Sequence, residues 1–179
     1  MRLTGTGETF SDAWIAKINA KGYYSSKITA TYSSSAGSVY LQTAAQGEGA
    51  GTIIIRNTGD TANNVAVTEL PSLKAGGEED DFRKASLSVE AAARVQLFAD
   101  LRMAKLEMEA DTVLDLNGKT LTVKSATING VKLATGTYTA ESTVEIGEGT
   151  LGDDYLVDTA EGAGGELVVK GVPFVVIVR

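Results

Sequence analysis

Acidic side chains near the C-terminal end are the residues of this sequence whose type and spacing could do chemistry. Asp153, Asp154 and Asp158 are close in sequence and flank Tyr155. Such a cluster could supply oxygen ligands to Ca²⁺, or a pair of carboxylates for acid and base catalysis at a glycosidic bond. The spacing matches neither an EF-hand nor a glycine-rich calcium repeat. We therefore interpret the three aspartates as solvated charge and keep them only as candidate metal ligands.

A second acidic run, Glu78-Glu79-Asp80-Asp81, lies in the polar segment 74–85. Four carboxylates could bind a hard cation, but their mutual repulsion is also typical of a solvated loop, which is the interpretation we prefer.

Tyrosines are concentrated in the N-terminal part of the chain, at Tyr23, Tyr24, Tyr32 and Tyr40. An exposed strip of such rings could stack on sugars. Alternatively, the rings fill the boundary of the core, because each has an apolar body and one polar tip. We prefer the second interpretation and keep these four as candidate ligand-binding residues.

Composition removes several classes of function. The chain has no Cys and no His, which excludes disulfides, thiolate nucleophiles, Cys/His zinc sites and His-based triads. With 16 Lys and Arg against 23 Asp and Glu, the net charge of −7 disfavours nucleic acid and anionic lipid as partners. The longest apolar stretch, at 172–178, is far shorter than a membrane span. We expect no enzymatic activity, no cofactor, no nucleic-acid partner and no membrane insertion by this chain.

The elements that must position these residues are mostly strands. Ser11 and Gly22 suit the two ends of a short helix, which is a candidate cap over an open end of a sheet. From residue 27 onward, β-branched runs at 28–32, 39–43, 52–56 and 65–70 are separated by small polar residues. This regular spacing predicts a sandwich, a barrel or a solenoid instead of alternating strands and helices.

An internal repeat follows the polar segment. Apolar residues recur 19 positions apart in two alternating stretches, pairing Leu87 with Leu106, Val89 with Met108, Ala91 with Ala110, Val95 with Leu114 and Leu97 with Leu116. A unit of this length is too short to form a hydrophobic core by itself, so it must stack on its neighbour to bury its apolar face. Small residues such as Ala91 and Ala110 are expected to face inward at the corners.

Two all-β folds fit this alternation. We predict a right-handed parallel β-helix (a β-solenoid) with the short N-terminal helix as candidate cap, and the alternative is an antiparallel β-sandwich. Residues 1–85 form an N-terminal cap and β-rich region. Residues 86–179 form the stacked coils, with hairpins over 140–179 closing the end, and the two regions could be one continuous domain.

One stretch resembles a known family. Leu114-Asp115-Leu116-Asn117-Gly118, followed by Leu121-Thr122-Val123, is similar to the strand–turn–strand unit of autotransporter-associated β-strand repeats. The later Asn129-Gly130 and Gly136-Thr137-Tyr138-Thr139 resemble a segment near the C-terminal end of such proteins. Independently of the family, both Asn-Gly pairs predict turns with positive φ.

The resemblance implies a passive role and transfers no catalytic residue. We expect a non-enzymatic structural or adhesive module of a bacterial surface-exposed or secreted protein, with the export signal outside this chain. Its expected partner is an extracellular glycan or a host or matrix surface. The alternatives are a carbohydrate-binding β-sandwich module and a fragment of a carbohydrate-active β-helix enzyme.

Overall fold

The structure, a computed structural model, describes residues 2–5, 20–21, 35–57, 66–70, 82–160 and 164–171, and it is all-β. The first seven strands in the described ranges are β1 (Arg2–Gly5), β2 (Ser38–Thr43), β3 (Thr52–Arg56), β4 (Thr68–Leu70), β5 (Ser86–Glu90), β6 (Arg94–Leu97) and β7 (Leu101–Met108). The next five are β8 (Val113–Asp115), β9 (Thr120–Ile128), β10 (Val131–Lys132), β11 (Gly136–Tyr138) and β12 (Glu145–Ile146). The remainder are β13 (Gly149–Thr150), a single π-helical turn (Leu151–Tyr155), β14 (Leu156–Val157) and β15 (Glu166–Val169).

Strands that are consecutive in the chain alternate between two sheets. The larger sheet has the order β1-β2-β3-β5-β7-β9-β15-β11, with β10 on β9, and the smaller has the order β14-β8-β6-β4. From β3 to β9, therefore, odd-numbered strands join the larger sheet and even-numbered strands the smaller. Neighbours run parallel along β3-β5-β7-β9-β15 and along β4-β6-β8-β14.

The repeat of 19 residues is the register of these sheets. Leu87 pairs with Leu106 between β5 and β7, and Val95 pairs with Leu114 between β6 and β8. Both pairs are parallel, as the stacking prediction requires. An antiparallel β-sandwich needs antiparallel neighbours at these positions, so this alternative does not fit the central strands.

The two longest strands bend at the same level. Inward and outward residues alternate along β7 and β9, except that Ala104 and Lys105 are both partly exposed, as are Lys124 and Ser125. Two successive outward side chains break the period of two, which marks a change of strand direction. The half of β7 beyond the bend pairs with β5, and the half of β9 before the bend pairs with β15.

The core is a column of aliphatic side chains between the segments. Twelve large side chains are almost fully shielded: Ile55, Leu87, Leu97, Leu106, Leu114, Leu116, Leu121, Ile128, Ile146, Leu151, Leu156 and Leu167. The prediction that Ala91 and Ala110 face inward is wrong, because Ala91 is only partly buried and Ala110 is exposed. Ala93 and Thr112, two positions further along, are the fully buried corner residues.

After β9 the chain leaves the alternation, and β14 and β15 later rejoin the two sheets. β10 folds back antiparallel on β9, β11 is antiparallel to β15, and β12 and β13 form a hairpin. This closing segment, residues 129–155, buries Leu133, Ile146 and Leu151. Hairpins that close the end were predicted within 140–179; β12–β13 is a hairpin there, and its closing role stays a prediction.

The N-terminal strands extend the larger sheet. β1 is parallel to β2, and β2 is antiparallel to β3. β3 pairs with β5, so the sheet is continuous across residue 85. Apart from Ala20 and Lys21, the helix predicted from Ser11 to Gly22 lies outside the described residues.

Candidate functional site: a groove along the stacked turns

Turns that follow β5, β7 and β9 lie above one another along one edge of the stack. The N–H of Glu109 donates to Val89 O at 3.0 Å, and the N–H of Asn129 donates to Met108 O at 2.7 Å. These bonds carry the strand ladder into the turns. Each turn is thereby fixed to the one before it.

Left-handed backbone conformations shape these turns. Ala92, Asp111 and Asn129 have φ of 58°, 60° and 45°. The predicted positive φ of both Asn-Gly pairs is confirmed, with 47° at Asn117 and 45° at Asn129. An Ala in this region costs about 1–2 kcal/mol relative to the right-handed form. Packing and ladder hydrogen bonds must therefore impose the conformation of Ala92.

The closing segment forms a second wall opposite the turns. In the π-helical turn, the Asp154 carboxylate accepts from Thr150 N at 2.7 Å, and Asp153 accepts from the Thr150 hydroxyl at 2.9 Å. Gly149 leaves room for this arrangement, because a Cβ there would collide with the Asp154 carboxylate. The carboxylate of Asp154 is therefore held by the backbone N–H of Thr150, four residues earlier in the chain.

Between the two walls lies an open groove of about 590 Å³. Its lining comprises Ala92, Arg94, Ala110, Asp111 and Asn129 from the turn side, and Gly147, Glu148, Gly149, Asp154 and Tyr155 from the closing segment. One guanidinium, three carboxylates and one amide therefore share this surface. Within the described residues, the side chains of Arg94, Asp111, Asn129 and Glu148 form no hydrogen bond or ion pair.

The three aspartates considered as metal ligands have separate roles. Asp154 lines the groove and Asp153 bonds within its own turn. Asp158 instead accepts from the N–H groups of Gly118 and Gly165, both at 2.7 Å, and so ties the β8–β9 turn to the segment before β15. In the described ranges, no three carboxylates gather closely enough to hold a metal ion.

A buried carboxylate that sequence reasoning missed connects β6, β8 and the segment after β14. Asp115, only 4% exposed, accepts from Gln96 Nε2 at 2.7 Å on β6. It also accepts from the Thr159 hydroxyl at 2.6 Å and the Thr159 N–H at 3.1 Å, and from Asn117 N at 3.0 Å. Gln96 and Asp115 are 19 residues apart, so the apolar repeat could have predicted that they lie side by side. Nothing in the sequence predicts the contact with Thr159, which lies 44 residues from Asp115.

Tyr40 has a structural place in the fold. Its ring packs against the core, and its hydroxyl donates to Gln42 Oε1 at 2.9 Å and accepts from Gly51 N at 3.0 Å. Gly51 permits this approach, since a Cβ there would lie 2.6 Å from Tyr40 Cζ.

Several candidate residues fall outside the part of the chain that the structure describes. They are Tyr23, Tyr24, Tyr32 and the acidic run 78–81.

Comparison with protein-family models, with curated proteins and with solved structures finds no match to this chain. Across the described ranges, no helix has the length and apolar character needed to cross a membrane.

Proposed function

We propose that the chain is a parallel β-helix that serves as a structural or adhesive module of a bacterial surface-exposed or secreted protein. The observation that carries this proposal is the alternation of β3 to β9 between two sheets whose central neighbours are parallel, in the register of Leu87 with Leu106. A chain that visits the same sheets in turn, and advances by one strand each time, builds a coil. We assign it a right-handed sense, because crossovers between parallel strands of one sheet are right-handed in the great majority of proteins.

The use of polar side chains supports a structural role. Asp115 and Asp158 accept backbone and side-chain donors from neighbouring coils. The same is true of Asp100, which accepts from Thr120 N, and of Glu109, which accepts from Ala91 N. Acidic groups placed in this way hold the turns of one coil to the next. Because the chain has no cysteine, these hydrogen bonds supply cross-links between neighbouring coils that disulfides supply in many small secreted domains.

The resemblance to autotransporter-associated β-strand repeats supports a surface location. In that family the similar segment is a strand–turn–strand unit, and here the corresponding residues are β8, the turn at Asn117-Gly118 and β9. This agreement in local structure is what supports cell-surface or extracellular location.

Location can be tested in the source bacterium with an epitope tag inserted at the exposed turn residue Ala110. We expect the tagged protein in the medium, or on intact cells where added protease removes the tag. The control is a tagged cytosolic protein that protease reaches only after the cells are permeabilised. A tag found only inside intact cells would contradict the proposed location.

A carbohydrate-active β-helix enzyme is the second candidate, favoured by the carboxylates of Asp111 and Glu148 in the groove. The test is release of new reducing ends from oligosaccharides. Turnover that is lost in Glu148→Gln would replace the non-enzymatic proposal with this one. Unchanged oligosaccharides would count against the enzyme.

A further inference from the structure

We propose that the groove along the stacked turns binds a non-acidic oligosaccharide, either neutral or carrying amino groups. This inference rests on the adhesive form of the proposed function and names its ligand class. The groove's volume of about 590 Å³ lies within the range of about 300–1,000 Å³ typical of small-molecule sites. Its open shape suits a chain of sugar rings that passes along the turns.

The polar groups of the lining identify a ligand that both donates and accepts. Arg94 offers only donors, Asp111 and Glu148 offer only acceptors, and Asn129 offers both. Among the described residues, none forms a hydrogen bond or an ion pair with these four side chains. A sugar hydroxyl donates one hydrogen bond and accepts others, so rows of hydroxyls can satisfy all four groups. A bare metal ion would leave the guanidinium of Arg94 without an acceptor.

The charge of the groove lining determines which classes of sugar it favours. The lining has one positive group, on Arg94, and three negative groups, on Asp111, Glu148 and Asp154. The whole chain has a net charge of −7. Uronic acids and sulfated sugars carry negative charge and are disfavoured in such a site, whereas a protonated amino sugar is attracted. The lining therefore favours neutral and amino sugars over acidic ones.

Both walls are fixed before any ligand arrives. Ladder bonds at Glu109 and Asn129 hold the turns, and Thr150 holds the Asp154 carboxylate. Ala92, with its left-handed backbone, and Ala110 contribute only methyl groups, which leaves the space between the walls open. A backbone that is already ordered loses less entropy when a ligand binds, so the ordering cost falls on the exposed side chains alone.

The experiment titrates the whole chain with three hexasaccharides and follows backbone amide signals by NMR. The probes are a glucosamine hexamer, an N-acetylglucosamine hexamer and a heparin hexamer. We expect the first two to shift signals of the turn and closing-segment residues, with dissociation constants in the micromolar to millimolar range. The heparin hexamer is expected to shift no groove signals. A hexapeptide of lysines serves as a basic, sugar-free comparison.

Variants assign the binding to the groove. Arg94→Ala and Glu148→Gln each remove a charge-assisted hydrogen bond, so about tenfold weaker binding is expected. Ala110→Arg places a long side chain in the groove and is expected to abolish binding. The matched controls are Arg102→Ala and Glu69→Gln, at exposed positions outside the lining, and they are expected to bind like the parent chain. Melting curves of all variants verify that they are folded.

Several results would overturn the assignment. They are no binding of either non-acidic hexamer at millimolar concentration, equal binding by Ala110→Arg, tighter binding of the heparin hexamer, or stronger binding of the lysine peptide than of the sugars. Failure here leaves the surface location intact, because protease access on whole cells tests that separately. Conversely, a cytosolic location combined with groove binding would refute the adhesive role and keep the site.

Discussion

Replacement of Asp115 by alanine should be among the most damaging single polar changes in this chain. Its carboxylate is 4% exposed and accepts four hydrogen bonds, two on each oxygen. Oδ1 receives the backbone N–H groups of Asn117 and Thr159, and Oδ2 receives Gln96 Nε2 and the Thr159 hydroxyl. Removal of the carboxylate leaves all four donors without this acceptor.

The magnitude follows from which donors can find water. The side chains of Gln96 and Thr159 can turn outward, since Thr159 is exposed and Gln96 partly so. The two backbone N–H groups cannot turn outward, and because their bonds to Asp115 are part-buried, each is expected to cost an amount in the lower half of the range of about 1–3 kcal/mol for an unpaired buried donor. We therefore expect Asp115→Ala to lower the free energy of unfolding by about 3 kcal/mol.

Asparagine at the same position separates the effect of hydrogen bonding from that of charge. Its amide oxygen can keep both backbone donors, and its NH₂ can donate to Thr159 and to a Gln96 amide that has turned over. Asp115→Asn should then cost only about 1 kcal/mol. The control Asp153→Ala loses one exposed contact within its own turn and should change stability by less than about 0.5 kcal/mol.

Urea unfolding followed by circular dichroism measures all three changes. A cost below about 1 kcal/mol for Asp115→Ala would refute the reasoning, since that is less than one lost buried bond. An Asn variant as unstable as the Ala variant would also refute it, because the loss would then come from charge and not from the pattern of acceptors.

Two further predictions concern the core and the turns. Leu106→Ala should lower the free energy of unfolding in urea by about 3–4 kcal/mol. Leu106 is fully buried between its register partners Leu87 and Ala126, and the small Ala126 cannot fill the cavity. A loss below about 1.5 kcal/mol would contradict this, because it would mean that the neighbouring side chains collapse into the cavity. Ala91→Gly should raise the free energy of unfolding by about 0.5 kcal/mol, since glycine relieves the strain of a φ of 51°. Ala110 lies 19 positions later and has no positive φ, so Ala110→Gly should instead lower the free energy of unfolding by about 0.5–1 kcal/mol. Thermal melts measure both variants, and melting temperatures that shift in the same direction would contradict the strain argument.

Local patterns predicted the register of the central strands because the same 19-residue spacing occurs in both sheets there. The offset between Leu87 and Leu106 became the register of β5 and β7. The next offset is 20, between Lys105 and Ser125, and the following one is 46, between Thr120 and Glu166. The closing segment is inserted at that point, and an insertion hides a repeat from any search at fixed spacing.

The groove could not be predicted, because it forms between distant segments. Arg94 and Glu148 are far apart in sequence, and they line the same groove only because the closing segment folds back over the turns. The N-terminal spacing predicted strands at 39–43 and 52–56, and β2 and β3 are there. Spacing carries no strand direction, however, and the antiparallel pairing of β2 with β3 had no signal in the sequence.

Cross-linking at one register position is the most direct test of the stacked coils. The chain has no cysteine, so a pair of introduced thiols reports on itself alone. Ser88 and Glu107 are direct partners on outward positions of β5 and β7, and parallel neighbours lie about 4.8 Å apart, within disulfide range. In the control pair, Ser86 and Glu107, a shift of two residues along the strand raises the separation to about 8 Å, too far to bridge.

Mild oxidation of the folded protein, followed by thiol titration, measures both pairs. The stacked arrangement predicts that Ser88→Cys with Glu107→Cys loses its thiols to an intramolecular disulfide, while Ser86→Cys with Glu107→Cys retains them. Equal closure of the two pairs, or closure of the control pair alone, would contradict the register and with it the coiled architecture.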